Sequence, residues 1–409
     1  MKKTALISLV FSSMVYASCG QAAKEQVASI SSLPTVETKS PNSPEYKPAF
    51  AGQTRVGSIK TKTAYEFKVI SDKLSSPWGI KSLPDGRLLI TEKEAGTLRI
   101  AKTSGELSKP ITGLPAVNSK GQGGLLGVTI DPNFDKNRMI YWSFSGDMDE
   151  GTLTSIAKGK LSTDETKLED VSIIYRATPA YKGTLHYGGR IVFDKDGNLF
   201  ISTGERSDLV TRPQAQQLNS SLGKIIHITT DGKPVSGNPF MSQADAKPEL
   251  YSYGHRNVQG LAFHPTTGEL FSNEFGPRGG DEINHVRAGK NYGWPTITYG
   301  IEYGGKKIGD VIQQKEGMEQ PTYYWDPSVS PSGMTFYTGS KISEWKNNLF
   351  VGCLSGMHIV RLVIENNKVV GEERLLSEEY QRFRDVTEGK DGALYAVTDA
   401  GRLYRIFKK

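Results

Sequence analysis

The chain has 409 residues, with 50 Lys and Arg against 44 Asp and Glu, 44 Gly and two Cys. That length buries a large core and allows up to three domains, while two cysteines exclude a disulfide framework. The formal charge of +6 falls by two when an N-terminal signal carries away Lys2 and Lys3, which gives no case for a nucleic-acid partner.

Met1-Lys2-Lys3 and the apolar stretch Thr4 to Ala17 read as a secretory signal, too short to span a bilayer comfortably. Cys19, in Tyr16-Ala17-Ser18-Cys19-Gly20, stands like the lipid-acceptor cysteine of bacterial lipoproteins, although Tyr16 replaces the usual Leu. Ordinary cleavage after Ala22 or Ala23 is the alternative. The protein is therefore expected to be exported, either periplasmic or anchored to the outer membrane, with a lipid anchor as its sole membrane contact. Residues 20–60, rich in Ser, Pro, Lys, Thr and Glu, are expected to form a disordered tether ahead of a domain spanning 61–409.

A turn followed by a strand then recurs six times. The units are Pro84 to Thr91, Phe134 to Trp142, Asp194 to Ser202, Pro265 to Ser272, Lys346 to Val351 and Lys390 to Val397. Asp-Gly, Thr-Gly and Asn-Asn pairs supply the positive φ of tight turns, and β-branched or aromatic runs follow them. A second short strand comes after each unit, at 96–100, 153–157, 223–227, 282–286, 358–362 and 401–406. Six paired signals predict an all-β, six-bladed β-propeller with four-stranded antiparallel blades around a central channel. A β-sandwich is the alternative fold and does not predict six copies. Insertions between blades should gather on one face and carry the function. Cys353, inside the apolar run Leu349 to Leu354, reads as a buried structural thiol.

Four constellations carry candidate chemistry. Gly121-Gln122-Gly123-Gly124 is a flexible loop with one polar side chain, and it lacks the Lys-Ser/Thr of a phosphate-binding loop. His186, flanked by Tyr187-Gly188-Gly189, has room to approach a ligand as a base, or is a hydrogen-bonding structural histidine. Arg256-Asn257 and Gln259 offer adjacent donors, and Gly276-Pro277 with Asp281-Glu282 offers the oxygens calcium prefers, unless these are solvated turns. Arg382 and Arg384 share one face of a strand and need an anion or carboxylates between them, surface salt bridges being the plain reading.

Together these segments resemble the soluble aldose sugar dehydrogenases that depend on pyrroloquinoline quinone (PQQ), the soluble glucose dehydrogenase and sorbosone dehydrogenase-like family. The resemblance rests on GQGGLLG (121–127), HYGGRIVFDKDG (186–197), YGHRNVQGL (253–261), EFGPRGGDEIN (274–284), NYGWP (291–295), SPSGM (330–334) and RFRD (382–385). It implies oxidation of an aldose to its lactone, with His186 as general base and Gln122 over the cofactor near the sugar. It implies that Arg256 and Asn257 hold the quinone oxygens and that Arg382 and Arg384 pair with the PQQ carboxylates. One Ca²⁺ would sit at PQQ on the carbonyls of Gly276 and Pro277. A second, structural Ca²⁺ would be held by Glu282 and Tyr292. A quinone or cytochrome would accept the electrons, and the protein would be a monomer or homodimer.

Ser355 stands where relatives carry a Lys that reaches the cofactor, so one charge contact is expected to be missing or supplied elsewhere, with Lys341 and Lys346 nearby in sequence. Tyr323-Tyr324-Trp325 is expected as an aromatic platform for a sugar ring, with core packing as the alternative. Two rival functions are a calcium-dependent lactonase and a non-enzymatic propeller that binds glycans or proteins.

Overall fold

The structure, a computed structural model, describes residues 33–409. The signal segment 1–19, Cys19 and the first part of the expected tether lie outside the described residues. Among the described residues no helix is long and apolar enough to cross a membrane.

Strand β1 (Tyr65–Ser71) is followed by β2 (Pro77–Ser82), β3 (Leu88–Glu92) and β4 (Thr97–Ala101) of the first blade. The second blade is β5 (Leu125–Ile130), β6 (Met139–Met148), β7 (Gly151–Leu161) and β8 (Leu168–Arg176). The third is β9 (Ile191–Phe193), β10 (Leu199–Ser202), β11 (Lys224–Ile228) and β12 (Leu250–Tyr253). The fourth is β13 (Val258–Phe263), β14 (Leu270–Glu274), β15 (Asp281–Val286) and β16 (Tyr323–Trp325). The fifth is β17 (Pro331–Phe336), β18 (Leu349–Cys353), β19 (His358–Glu365) and β20 (Lys368–Leu375). The sixth takes β21 (Phe383–Glu388), β22 (Leu394–Thr398) and β23 (Leu403–Lys408), and its outer strand is β1, antiparallel to β23. This six-bladed propeller is closed by its two ends, which leaves no blade open at the seam.

Each paired signal in the sequence falls on the second and third strands of a blade. The turn glycines Gly86, Gly197 and Gly392 take φ of 90°, 81° and 75°, a region that side chains disfavour. The second unit departs from the pattern: Phe134–Asn137 forms one helical turn before β6. The first blade has three regular strands, and isolated bridges from Leu107 and Ile111 to β4 occupy its outer position.

Six apolar clusters, one at each blade interface, hold the ring. Leu88, Ile90, Tyr395 and Val397, for example, join the sixth blade to the first. Middle strands such as β3 and β22 are therefore buried on both faces, while the outer strand β8 is half solvated. The innermost strands surround an axis crossed by a buried ion pair. Arg190 Nη1 lies 2.6 Å from Asp385 Oδ2, and Arg190 Nε donates to Gln259 O at 2.9 Å. The guanidinium packs 4.4 Å from the Trp78 ring, and Asp385 Oδ2 also accepts from Ile80 N at 2.9 Å. Four blades meet at this septum, with one cavity on each side of it.

The tether expectation is corrected for residues 33–60, which lie on the propeller. Ser58 bridges Glu372 beside β20, Glu37 pairs with Arg374 at 2.9 Å, and Gln53 is fully buried against Gln320 and Pro321. Composition suggested disorder because these partners are distant in sequence.

Replacing Asp385 with Ala leaves the Arg190 guanidinium buried without a counter-charge. The variant is expected to lose ~3–5 kcal/mol of stability, read from urea unfolding.

Candidate functional site

Loops entering the innermost strands surround a cavity of ≈ 520 Å³ above the septum. Gln122, His186, Gly276, Pro277, Arg382 and Arg384 all line it, so residues from four separate sequence motifs converge.

His186 sits just before β9 with φ of 46°, an uncommon conformation for a residue with a side chain. Its neighbours impose it: the His186 N–H donates to Gln122 Oε1 at 2.8 Å, and Gly204 passes so close that a Cβ there would lie 2.2 Å from His186 O. Nδ1 of His186 lies 2.6 Å from Glu205 Oε1. Arg206 secures the same loop, donating to Leu185 O at 2.9 Å and stacking 4.0 Å from the Tyr187 ring. Burial, and then the nearby Arg256 charge, push the His186 imidazole down to about 4 despite Glu205. The ring is neutral at physiological pH, with a carboxylate on Nδ1 and Nε2 left as the basic nitrogen.

Arg256 lies immediately behind the wall. Its Nη1 donates to Gly276 O at 2.8 Å and Phe275 O at 3.1 Å, and its Nε is buried without a partner. Its backbone N–H donates to Glu274 Oε2 at 2.6 Å. Asn257 is fully buried one layer below: its Oδ1 accepts from Gly188 N at 3.0 Å, and its Nδ2 has no partner. The structure thus does not bring Asn257 to the cavity wall.

Arg382 and Arg384 satisfy the need for a carboxylate by sharing Asp399, at 2.9 and 2.8 Å. Ser355 lines the cavity where its motif puts it, and its Oγ meets Ser330 Oγ at 2.8 Å. Lys93, rather than Lys341 or Lys346, stands in the same wall. The aromatic platform is corrected: Tyr323, Tyr324 and Trp325 form β16, the buried outer strand of the fourth blade. The aromatic ring at the mouth is Tyr303, 69 % exposed.

Glu282 and Tyr292 border a smaller space with Glu274 and Arg256. Burial, and then the Glu274 carboxylate, push the Glu282 carboxyl well above the usual range. Two carboxylates so placed favour a cation between them.

Sequence reasoning missed Glu205, Asp399 and Lys93. No local pattern ties Glu205 to a histidine 19 residues earlier or Asp399 to RFRD; only the blade geometry does.

A tricarboxylate quinone fits this cavity, because the Arg382 and Arg384 guanidiniums line it and Nε of Arg256, immediately behind the wall, is buried without a partner. The Gly276 and Pro277 carbonyls are hard oxygens of the kind calcium prefers, and Gly276 O already accepts from Arg256 Nη1 at 2.8 Å.

The family model for Glucose / Sorbosone dehydrogenase matches residues 74–405. The chain is 41 % identical over 346 residues to aldose sugar dehydrogenase YliI of Escherichia coli, covering 83 % of this chain and 92 % of the relative. The crystal structure of the soluble aldose sugar dehydrogenase of E. coli in the apo-form superposes with a TM-score of 0.81 at 40 % identity, covering 85 % of this chain and all of that one. A PQQ-bound aldose sugar dehydrogenase from Streptomyces coelicolor gives 0.70 at 30 % identity, covering 85 % and 99 %.

The His186 ring resonances are expected to hold still from neutral pH downward and to titrate only near about 4, as NMR would record. An unfolded histidine binds its proton near 6.5, so the stability this neutral ring contributes is present above that pH and is lost as pH falls toward about 4.

Proposed function

The chain belongs to the glucose/sorbosone dehydrogenase family, and we propose that it oxidises aldose sugars at the anomeric carbon to lactones with PQQ and calcium. The observation that carries this reading is one cavity lined by both His186, whose Nδ1 lies 2.6 Å from Glu205 Oε1, and the Arg382 and Arg384 guanidiniums.

When bound, PQQ supplies the hydride acceptor, and a calcium ion polarises its carbonyl as a Lewis acid. His186 Nε2 takes the proton of the anomeric hydroxyl, while Glu205 keeps the other proton on Nδ1 and steadies the imidazolium that forms. Gln122 holds the His186 backbone and faces the sugar. Arg256 would offer its guanidinium from behind the wall to a quinone oxygen, and Asn257 steadies the loop that carries His186 by accepting from Gly188 N. Arg382 and Arg384 would hold the cofactor carboxylates, and the carbonyls of Gly276 and Pro277 would hold the metal. Glu282 and the Tyr292 carbonyl would hold a second, structural calcium. A quinone or cytochrome would be the electron acceptor. The signal segment supports export, with Cys19 as the candidate lipid site.

The lactonase alternative needs side-chain carboxylates converging on an axial metal. Among the described residues no group of three or more His, Cys, Asp or Glu is placed to hold a metal ion. A binding propeller would not need a buried neutral base beside arginines.

Dye-linked aldose oxidation by the purified protein is expected to require both added PQQ and calcium; turnover without them sinks the reading. His186→Ala is expected to keep PQQ and lose ~10²–10⁴-fold in kcat. Ser355→Lys is expected to slow PQQ loss in dialysis by about 10-fold, the effect of one added charge-assisted contact.

A further inference from the structure

Residues 33–60 lie outside the span matched by the family model, yet they reach the cavity. We propose that this segment is a working part of the catalytic unit, which delivers Asn42 to the cavity wall as a sugar-contacting, specificity-determining residue. This rests on the dehydrogenase reading above.

Asp326, buried at the end of β16, shows how the segment is held. Its carboxylate accepts three hydrogen bonds, from Asn42 N at 2.9 Å, Asn42 Nδ2 at 2.7 Å and Ser43 N at 3.1 Å. All three come from the N-terminal segment. Arg55 then donates to the backbone oxygens of Lys39 and Asp326, both at 2.7 Å, closing the turn of chain on itself. Tyr46 packs beside the stacked pair Tyr299 and Tyr324. Such an arrangement leaves Asp326 a buried, unsatisfied charge if the segment departs, so the two stay together.

The consequence reaches the cavity by two routes. Asp326 opens the loop 326–330, in which Pro327, Ser328 and Ser330 line the cavity. Ser328 Oγ accepts from Gly279 N at 2.8 Å, and the N–H groups of Val329 and Ser330 donate to Asp281, which also receives Gly276 N. The segment thereby steadies the wall that carries Gly276. Asn42 also lines the cavity itself. Its Oδ1 accepts from Arg278 Nε at 3.1 Å and its Nδ2 donates to Asp326. One amide proton and one lone pair remain free on the same planar group. Adjacent donor and acceptor of this kind match two neighbouring hydroxyls of an aldose.

The test is Asn42→Ala in the full-length, PQQ- and calcium-loaded protein, read in two ways. Hydrogen exchange of the 326–330 backbone amides is expected to speed up by about 10-fold, because one hydrogen bond to Asp326 is gone. KM for the aldose is expected to rise about 3- to 10-fold with kcat within about 2-fold of wild type. An unchanged KM, or a loss confined to kcat, overturns the sugar contact; unchanged exchange overturns the hold on the loop. A wild-type protein that oxidises no aldose sinks the dehydrogenase reading instead, and the exchange measurement then decides the segment's role alone.

Discussion

Where the innermost strands converge, backbone and side chains from different blades must share a narrow axis, and the Arg190–Asp385 pair is what four of the six blades share. The contact at 2.6 Å is buried, and its satellites are Gln259 O, Ile80 N and the Trp78 ring. A buried charge is tolerated only when paired and hydrogen-bonded, so the blades that supply these groups are held in one register about the axis. Trp78 and Gln259, on the upper side of this septum, line the functional cavity. The floor of the site is thus made by the same interaction that centres the ring.

Above that floor, charge is arranged against a guest that is absent from the chain itself. Arg382 and Arg384 lean on the single carboxylate of Asp399, and Lys93 adds a further ammonium to the wall. Asp399 serves both arginines and Glu94 lies 3.7 Å from Lys93, so three cations face two carboxylates and the wall keeps an excess of positive charge for an anionic ligand. Burial first, and then the Arg256 and Arg206 charges, keep His186 neutral: a proton on its ring would sit out of water and beside two guanidiniums. Glu205 partly offsets this and orients the ring, so basicity and geometry are set by different groups.

Ring closure and the N-terminal segment are parts of one continuous run of chain. Residues 33–60 cover the fourth and fifth blades before β1 completes the sixth. Polar composition does not forbid such packing, because Gln53 and Asp326 find specific partners that offset their desolvation.

The blade count was legible in the sequence because positive-φ turns and the strands after them are local events, readable from Asp85-Gly86 or Asp391-Gly392 without any distant partner. Glycine flanks likewise singled out His186, and the spacing of Arg382 and Arg384 announced the need for a carboxylate. The short strands β9 and β16 were silent, with three residues each, too few to display alternation. For the same reason Tyr323 to Trp325 resembled a sugar platform and proved to be core. His186, Arg382 and Arg384, from two separate motifs, line one cavity. Only the tertiary structure could show that Glu205 holds His186, that Asp399 serves both arginines, that Asn257 lies beneath the wall and that Asn42 stands in it. Each of these depends on contacts between segments whose sequences carry no trace of one another, and closing the ring is what brings them within reach.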